Sequence, residues 1–150
     1  MKKDWRHRAR EAALQILYQW EVGKIDVARA SETFFASQWP DATPPSADLR
    51  VLAETLARNT VERLEAIDAL IAGTAQRWRP ERMPVIDRMI LRLAIGELLA
   101  AGDAPPAVVI NEALELARTF STEDAVKFIN GMLDAARKKI ELGAGERRGS

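Results

Sequence analysis

The chain has 150 residues with 22 basic and 22 acidic side chains, one histidine and no cysteine, which excludes disulfides, thiolate metal sites and cysteine nucleophiles, and leaves His7 too isolated for a triad or a multi-histidine metal site. That length fits one domain with a sizeable core. The net charge of zero hides a segregation, since residues 1–10 hold +4, residues 137–150 hold +3 and the body between them holds −7, a pattern of either a local polyanion-binding arm or a solvated basic tail.

The N-terminal basic residues run directly into an amphipathic pattern rather than an apolar signal core, so a cytosolic location is expected. Residues 6–20, RHRAREAALQILYQW, predict a first helix with Ala9, Ala13, Ile16, Leu17 and Trp20 on its buried face and Gly23 at its end. On that wheel Arg8 points away from the core, Arg10 lies at its flank, and Arg6 precedes the first packed residue. Tyr18 falls opposite the buried stripe with Leu14 beside it, placed either to pack on another helix or to offer a stacking face.

Asp26 is placed to cap a second helix reaching about Trp39, buried through Val27, Ala30 and Phe34. Pro40, Pro44 and Pro45 then force a loop. From Ser46 an apolar periodicity runs through Leu49, Leu52, Ala53, Leu56, Leu64, Ile67, Leu70 and Ile71 towards Trp78, with a break expected near Asn59–Thr60 where the spacing lapses.

The stretch Ile86–Ala101, IDRMILRLAIGELLAA, carries apolar residues on every side and reads as a helix enclosed by others, started after Pro84 and stopped by Gly102 and Asp103. Its charges are too many for a membrane span, and Arg88 and Arg92, one turn apart, mark the strip expected at the surface. A further helix is predicted over about Ala107–Phe120, with Ile110, Ala113, Leu114 and Ala117 inward. Ser121 is expected to cap the last helix, with Asp124 in the capping-box position and a core stripe of Ala125, Ile129, Met132, Leu133, Ala136 and Ile140. The terminal GAGERRGS reads as disordered, leaving a domain at 1–142 and a tail at 143–150.

No segment alternates with period two, so the fold class is all-α, with about six or seven helices. Gly-rich phosphate loops, HExxH and EF-hand patterns are missing, and neither a cofactor nor a metal is expected. Acidic pairs such as Glu123–Asp124 belong to caps and solvated faces, which makes an enzyme the weaker reading. Binding features are better represented. Asp124, Lys127, Phe128 and Gly131 fall at i, i+3, i+4, i+7 on the flank of the last helix, and aromatics with cations suit unstacked RNA bases and phosphates. Spacing alone, however, favours core-edge packing for Phe128 and close helix contact for Gly131.

The segments RHRAREAALQILYQW, VIDRMILRLAIGELL and VVINEALELARTFSTEDAVKFINGMLD, with the spacing between them, resemble the bacterial transcription antitermination factor NusB family along nearly the whole chain. The resemblance implies a helical fold of two small bundles, and an N-terminal arginine-rich motif binding the boxA element of nascent ribosomal RNA. It also implies a heterodimer with NusE, the small-subunit ribosomal protein, and read-through of terminators by the RNA polymerase antitermination complex, with no membrane involved. Carried over by position, Arg6, Arg8 and Arg10 occupy the arginine-rich motif, Tyr18 the aromatic that follows it, and Asp124, Lys127 and Phe128 a second RNA-contacting patch. Asp87 matches the partner-facing acidic position. His7 departs from an uninterrupted arginine run, and Thr74 stands where some relatives have tyrosine. Two rivals remain. One is the NusB-like domain of ribosomal RNA cytosine methyltransferases, which would need catalytic cysteines beyond Ser150; the other is a helical adaptor that binds protein without touching RNA.

Overall fold

A computed structural model of the chain describes residues 4–74 and 80–149, with side chains described for 4–74 and 81–143. The described residues form seven α-helices, α1 (Trp5–Gly23), α2 (Val27–Thr33), α3 (Ala47–Glu62), α4 (Leu64–Thr74), α5 (Val85–Ala100), α6 (Pro106–Phe120) and α7 (Glu123–Gly149). A π-helical turn, Phe34–Gln38, continues α2, and a 3-10 turn, Pro80–Arg82, precedes α5. The all-α expectation holds. The predicted end of the long periodicity near Trp78 lies outside the described residues.

The organising helix is α5. Residues 89–96 are buried without interruption, two turns of helix with no solvent face, and α5 packs against α1, α3, α4, α6 and α7. Each fully buried side chain such as Ile90, Leu91 or Ile95 contributes about 1.5–3 kcal/mol by leaving water. The axis of α3 comes close at Gly96, where a Cβ would stand 3.1 Å from the Thr60 hydroxyl oxygen and 3.3 Å from Ile67 Cδ1. The Asn59 side-chain amide donates to the Gly96 carbonyl at 2.9 Å. This anchor keeps the polar pair Asn59–Thr60 inside α3, and the break expected there falls instead at Arg63, whose φ of −102° and ψ of 12° separate α3 from α4.

The strip of α5 expected at the surface is not there. Arg92 is 8% exposed and its guanidinium donates to Glu21 of α1 at 2.9 Å and to both carboxylate oxygens of Asp68 of α4 at 3.0 and 2.9 Å. Three helices are thus tied by one cation, each of whose three nitrogens donates a hydrogen bond. Leu14, expected beside Tyr18 on the outer side of α1, is fully buried, because α1 is covered by α2, α3, α5 and α6 rather than along a single stripe. In α6 the inward residues are Val109, Ala113, Leu116 and Ala117. Ile110 and Leu114 are half-buried, since α6 wedges between α5 and α7 and its face turns accordingly.

The first helix ends at Gly23 as expected, and α5 ends at Ala100, one residue before the expected Ala101. Ala101, with φ of 50° and ψ of 50°, and Lys24, with φ of 55° and ψ of 37°, take the left-handed capping positions beside Gly102 and Gly23. The capping hydroxyl of α7 is Thr122, accepting from the Ala125 amide at 3.1 Å, and not Ser121. The final helix continues to Gly149, where glycine content predicted a disordered tail. Propagating a helix already nucleated by its packed part adds a hydrogen bond per residue, and each glycine subtracts only about 1 kcal/mol.

Candidate nucleic-acid interface

Because α1 begins at Trp5, the whole arginine-rich stretch is helical and its residues part by about 100° each. His7 therefore points inward with Arg6 and Arg8 on either side, and Arg10, three residues on, points inward as well. The His7 ring nitrogens meet Glu112 of α6 at 2.5 Å and Glu11 at 2.9 Å. Arg10 is 6% exposed and forms a two-bond fork on Glu97 of α5 at 3.0 and 2.6 Å. Burial alone would lower the Arg10 pKa, but the hydrogen bond and charge of Glu97, aided by Glu112 and Asp4, hold it above the ordinary arginine range. Arg10 is thereby corrected from a phosphate-facing flank position to a core ion pair between α1 and α5. This interior fork takes up Nε and Nη2, the pair of donors with which a guanidinium would grip a phosphate side-on.

Arg6 and Arg8 remain at the surface. Arg6 lies over the Trp5 ring at 4.5 Å from its centroid, with Asp4 3.9 Å away. Arg8 lies over Trp39 at 5.0 Å and pairs with Asp41 of the proline-marked loop. Beside it is an open groove of about 400 Å³ lined by Arg8, Ala12, Gln15, Trp39 and Phe120. Residue chemistry had not singled out Trp39 and Asp41; the only signal was an aromatic and an acid beside prolines, which is common in any solvated loop.

Tyr18, 39% exposed, stands outward from α1 as its place on the wheel predicts. At the start of α7 the buried residues are Ala125, Val126 and Ile129, which leaves Asp124, Lys127 and Phe128 outside. Phe128 is 44% exposed, so it is not packed at the core edge, and a Cβ on Gly131 would meet nothing within 4 Å, so no helix approaches there among the described residues. Since Thr122 does the capping, Asp124 is released from the capping-box role. Among the described residues neither Asp124 nor Lys127 makes an ion pair or side-chain hydrogen bond.

Asp87 is placed differently from expectation. It is 5% exposed and accepts the Ser121 hydroxyl hydrogen, fixing the extended residue between α6 and α7. Its exposure on a partner-facing strip is corrected: the α6–α7 junction folds over the first turn of α5. Thr74, at the end of α4, donates to the Leu70 carbonyl at 2.7 Å.

Among the described residues no group of His, Cys, Asp and Glu is arranged to hold a metal ion, and no helix is long and apolar enough to cross a membrane. A seven-helix domain of this topology, with an enclosed fifth helix and guanidinium groups along the edge of the first, has the architecture of bacterial antitermination factors. It superposes on T. maritima NusB with a TM-score of 0.78 and 34% identity, over 92% of this chain and 93% of that one. It also superposes on a chain of the crystal structure of antitermination factors NusB and NusE in complex with dsRNA, with a TM-score of 0.76 and 26% identity, over 90% and 97% of the two chains. The chain belongs to the NusB family, whose model matches residues 7–138. It is 44% identical over 135 residues to the transcription antitermination protein NusB of Solibacter usitatus, covering 90% of each. With the protein of that name from Exiguobacterium sp. the identity is 42% over 128 residues, covering 85% of this chain and 93% of the relative.

Proposed function

We propose that this chain is a non-enzymatic transcription antitermination factor that binds the boxA element of nascent ribosomal RNA together with NusE, and so promotes read-through by RNA polymerase in the cytoplasm. The observation that carries the reading is 44% identity, over nine-tenths of both chains, with a transcription antitermination protein. The shared fold with a NusB solved alongside NusE and double-stranded RNA supports the two partners.

Within that reading Arg6 and Arg8 supply phosphate contacts, and Tyr18 and Phe128 supply stacking faces for unpaired bases. Lys127 holds a neighbouring phosphate, and Asp124, which has no side-chain partner among the described residues, accepts from a base edge. Arg10 acts behind them by fixing the orientation of α1. Asp87 serves NusE binding through the α6–α7 junction it holds rather than through an exposed charge. The test is a titration of boxA RNA and of a scrambled RNA of equal length, each with and without NusE. The reading expects preference for boxA that strengthens with NusE; equal affinity for both RNAs under both conditions sinks it and favours the protein-only adaptor.

A further inference from the structure

The loop after the π-helical turn holds the arginine that RNA needs. The Asp41 carboxylate pairs with Arg8 through Nη2 and the Trp39 ring lies under the same guanidinium at 5.0 Å, so one donor nitrogen and one face of that cation are occupied. The loop is shaped to stay there. The Trp39 indole N–H donates to the Thr43 carbonyl at 2.9 Å, Pro40, Pro44 and Pro45 restrict the backbone, and Trp39 is seated against Phe34 and Phe35 at centroid distances of 6.3 and 5.9 Å. We propose that Asp41 is a built-in competitor for the RNA phosphate: the 39–46 loop caps Arg8 in the free protein and is displaced from it when a single-stranded RNA backbone arrives.

A phosphate oxygen reaching Arg8 competes with Asp41 for the Nη2 hydrogens, and with the Trp39 ring closing one face, a two-bond phosphate fork that includes Nη2 forms only where the carboxylate gives way. A carboxylate on a short tether presents itself at an effective concentration in the millimolar range, so a lone phosphate below that concentration does not displace it. An RNA strand already held at Arg6 or along α7 brings its next phosphate at a comparable effective concentration and does. The loop therefore biases Arg8 towards polymeric ligands and lowers apparent affinity by the fraction of molecules in which the cation is free.

The inference rests on the Arg8 contact proposed above, and a double-mutant cycle separates the two. Binding of boxA RNA is measured at fixed salt for the full chain, Asp41→Asn, Arg8→Ala and the double variant, with melting temperatures alongside. Because the pair is partly exposed, Asp41→Asn is expected to tighten binding about two- to five-fold and to leave melting within about two degrees of the parent. In the Arg8→Ala background the same change is expected to do nothing. Equal tightening in both backgrounds overturns the proposal, since it would report only the removal of a negative charge near RNA. No tightening in the parent also overturns it. If Arg8→Ala does not weaken binding, the Arg8 contact itself is wrong and the competitor falls with it. If the unmodified chain shows no boxA preference with or without NusE, it is the antitermination reading that fails.

Discussion

Arg10 is the residue at which folding and RNA binding are most easily confused, and Arg10→Ala separates them. Its side chain is 7% exposed and that of Glu97 11%, and the two are joined by two hydrogen bonds. Removing one partner leaves the other charge buried without compensation, which costs about 3–5 kcal/mol. A chain of this size loses about 2–4 degrees of melting temperature per kcal/mol, so a fall of roughly 6–20 degrees is expected. Because the guanidinium is held charged beyond the ordinary arginine range, its contribution is present at every lower pH and is lost only as pH rises through that raised value. The deficit of the variant should therefore be constant from weakly acid to weakly alkaline buffer as far as Arg10 is concerned. The paired replacement Arg10→Met with Glu97→Met should recover most of the loss, since packed apolar groups substitute well for a buried ion pair. The assay is thermal unfolding beside RNA titration at several salt concentrations. Arg10→Ala melting within two degrees of the parent, or a log K against log salt slope reduced by ~0.7, the value for one single-strand phosphate, would refute the assignment to the core.

Three other outcomes follow from the same geometry. Arg6→Ala with Arg8→Ala should flatten the salt slope by about 1.4, at ~0.7 per single-strand phosphate, and leave melting nearly unchanged. Tyr18→Ala and Phe128→Ala should each cost about 1–3 kcal/mol of RNA affinity at an unchanged slope; loss of stability without loss of affinity in a melting and titration pair would assign them to packing. Asp87→Lys should lower the melting temperature by several degrees, because it removes the acceptor of Ser121 and places a cation in a site 5% exposed. Unchanged melting would return Asp87 to the surface.

The elements whose burial is periodic were the legible ones. The enclosed character of α5 was visible in apolar residues on all its sides, the Asp26 and Ser46 caps are formed by their side chains, and the α7 stripe is buried except at the half-buried Ile140. Charged residues in the interior were not legible. A wheel places arginine and aspartate outward by default, and nothing local to Arg10, Asp87 or Arg92 announces partners at Glu97, Ser121, Glu21 and Asp68. The π-helical turn was hidden for a similar reason, since Phe34–Gln38 satisfies an ordinary helical pattern. Ser121 and Thr122 are both good caps, and only the demand of Asp87 for a donor decides which one turns to the helix. In the candidate site, the exposed aromatics were visible as residues off their own stripes. The occupied state of Arg8 was not, because Asp41 reaches it across the proline loop from 33 residues away in a solvated segment.

The partners of α1 lie far downstream: Arg92 is 71 residues beyond Glu21, Glu97 is 87 beyond Arg10, and Glu112 is 105 beyond His7. During synthesis at about 5–20 residues per second, the ribosome needs roughly 5–20 s to make the residues that complete the first helix's polar seams. Through that interval His7 and Arg10 have no completed interior to enter, whereas Asp41, 33 residues beyond Arg8, is already made and can pair with that cation first. Only after α6 emerges is the helix turned so that two cations face out and two residues are locked in. The segment proposed to touch RNA is thus made first and finished last, and its selectivity as a folded surface arrives with the second half of the chain.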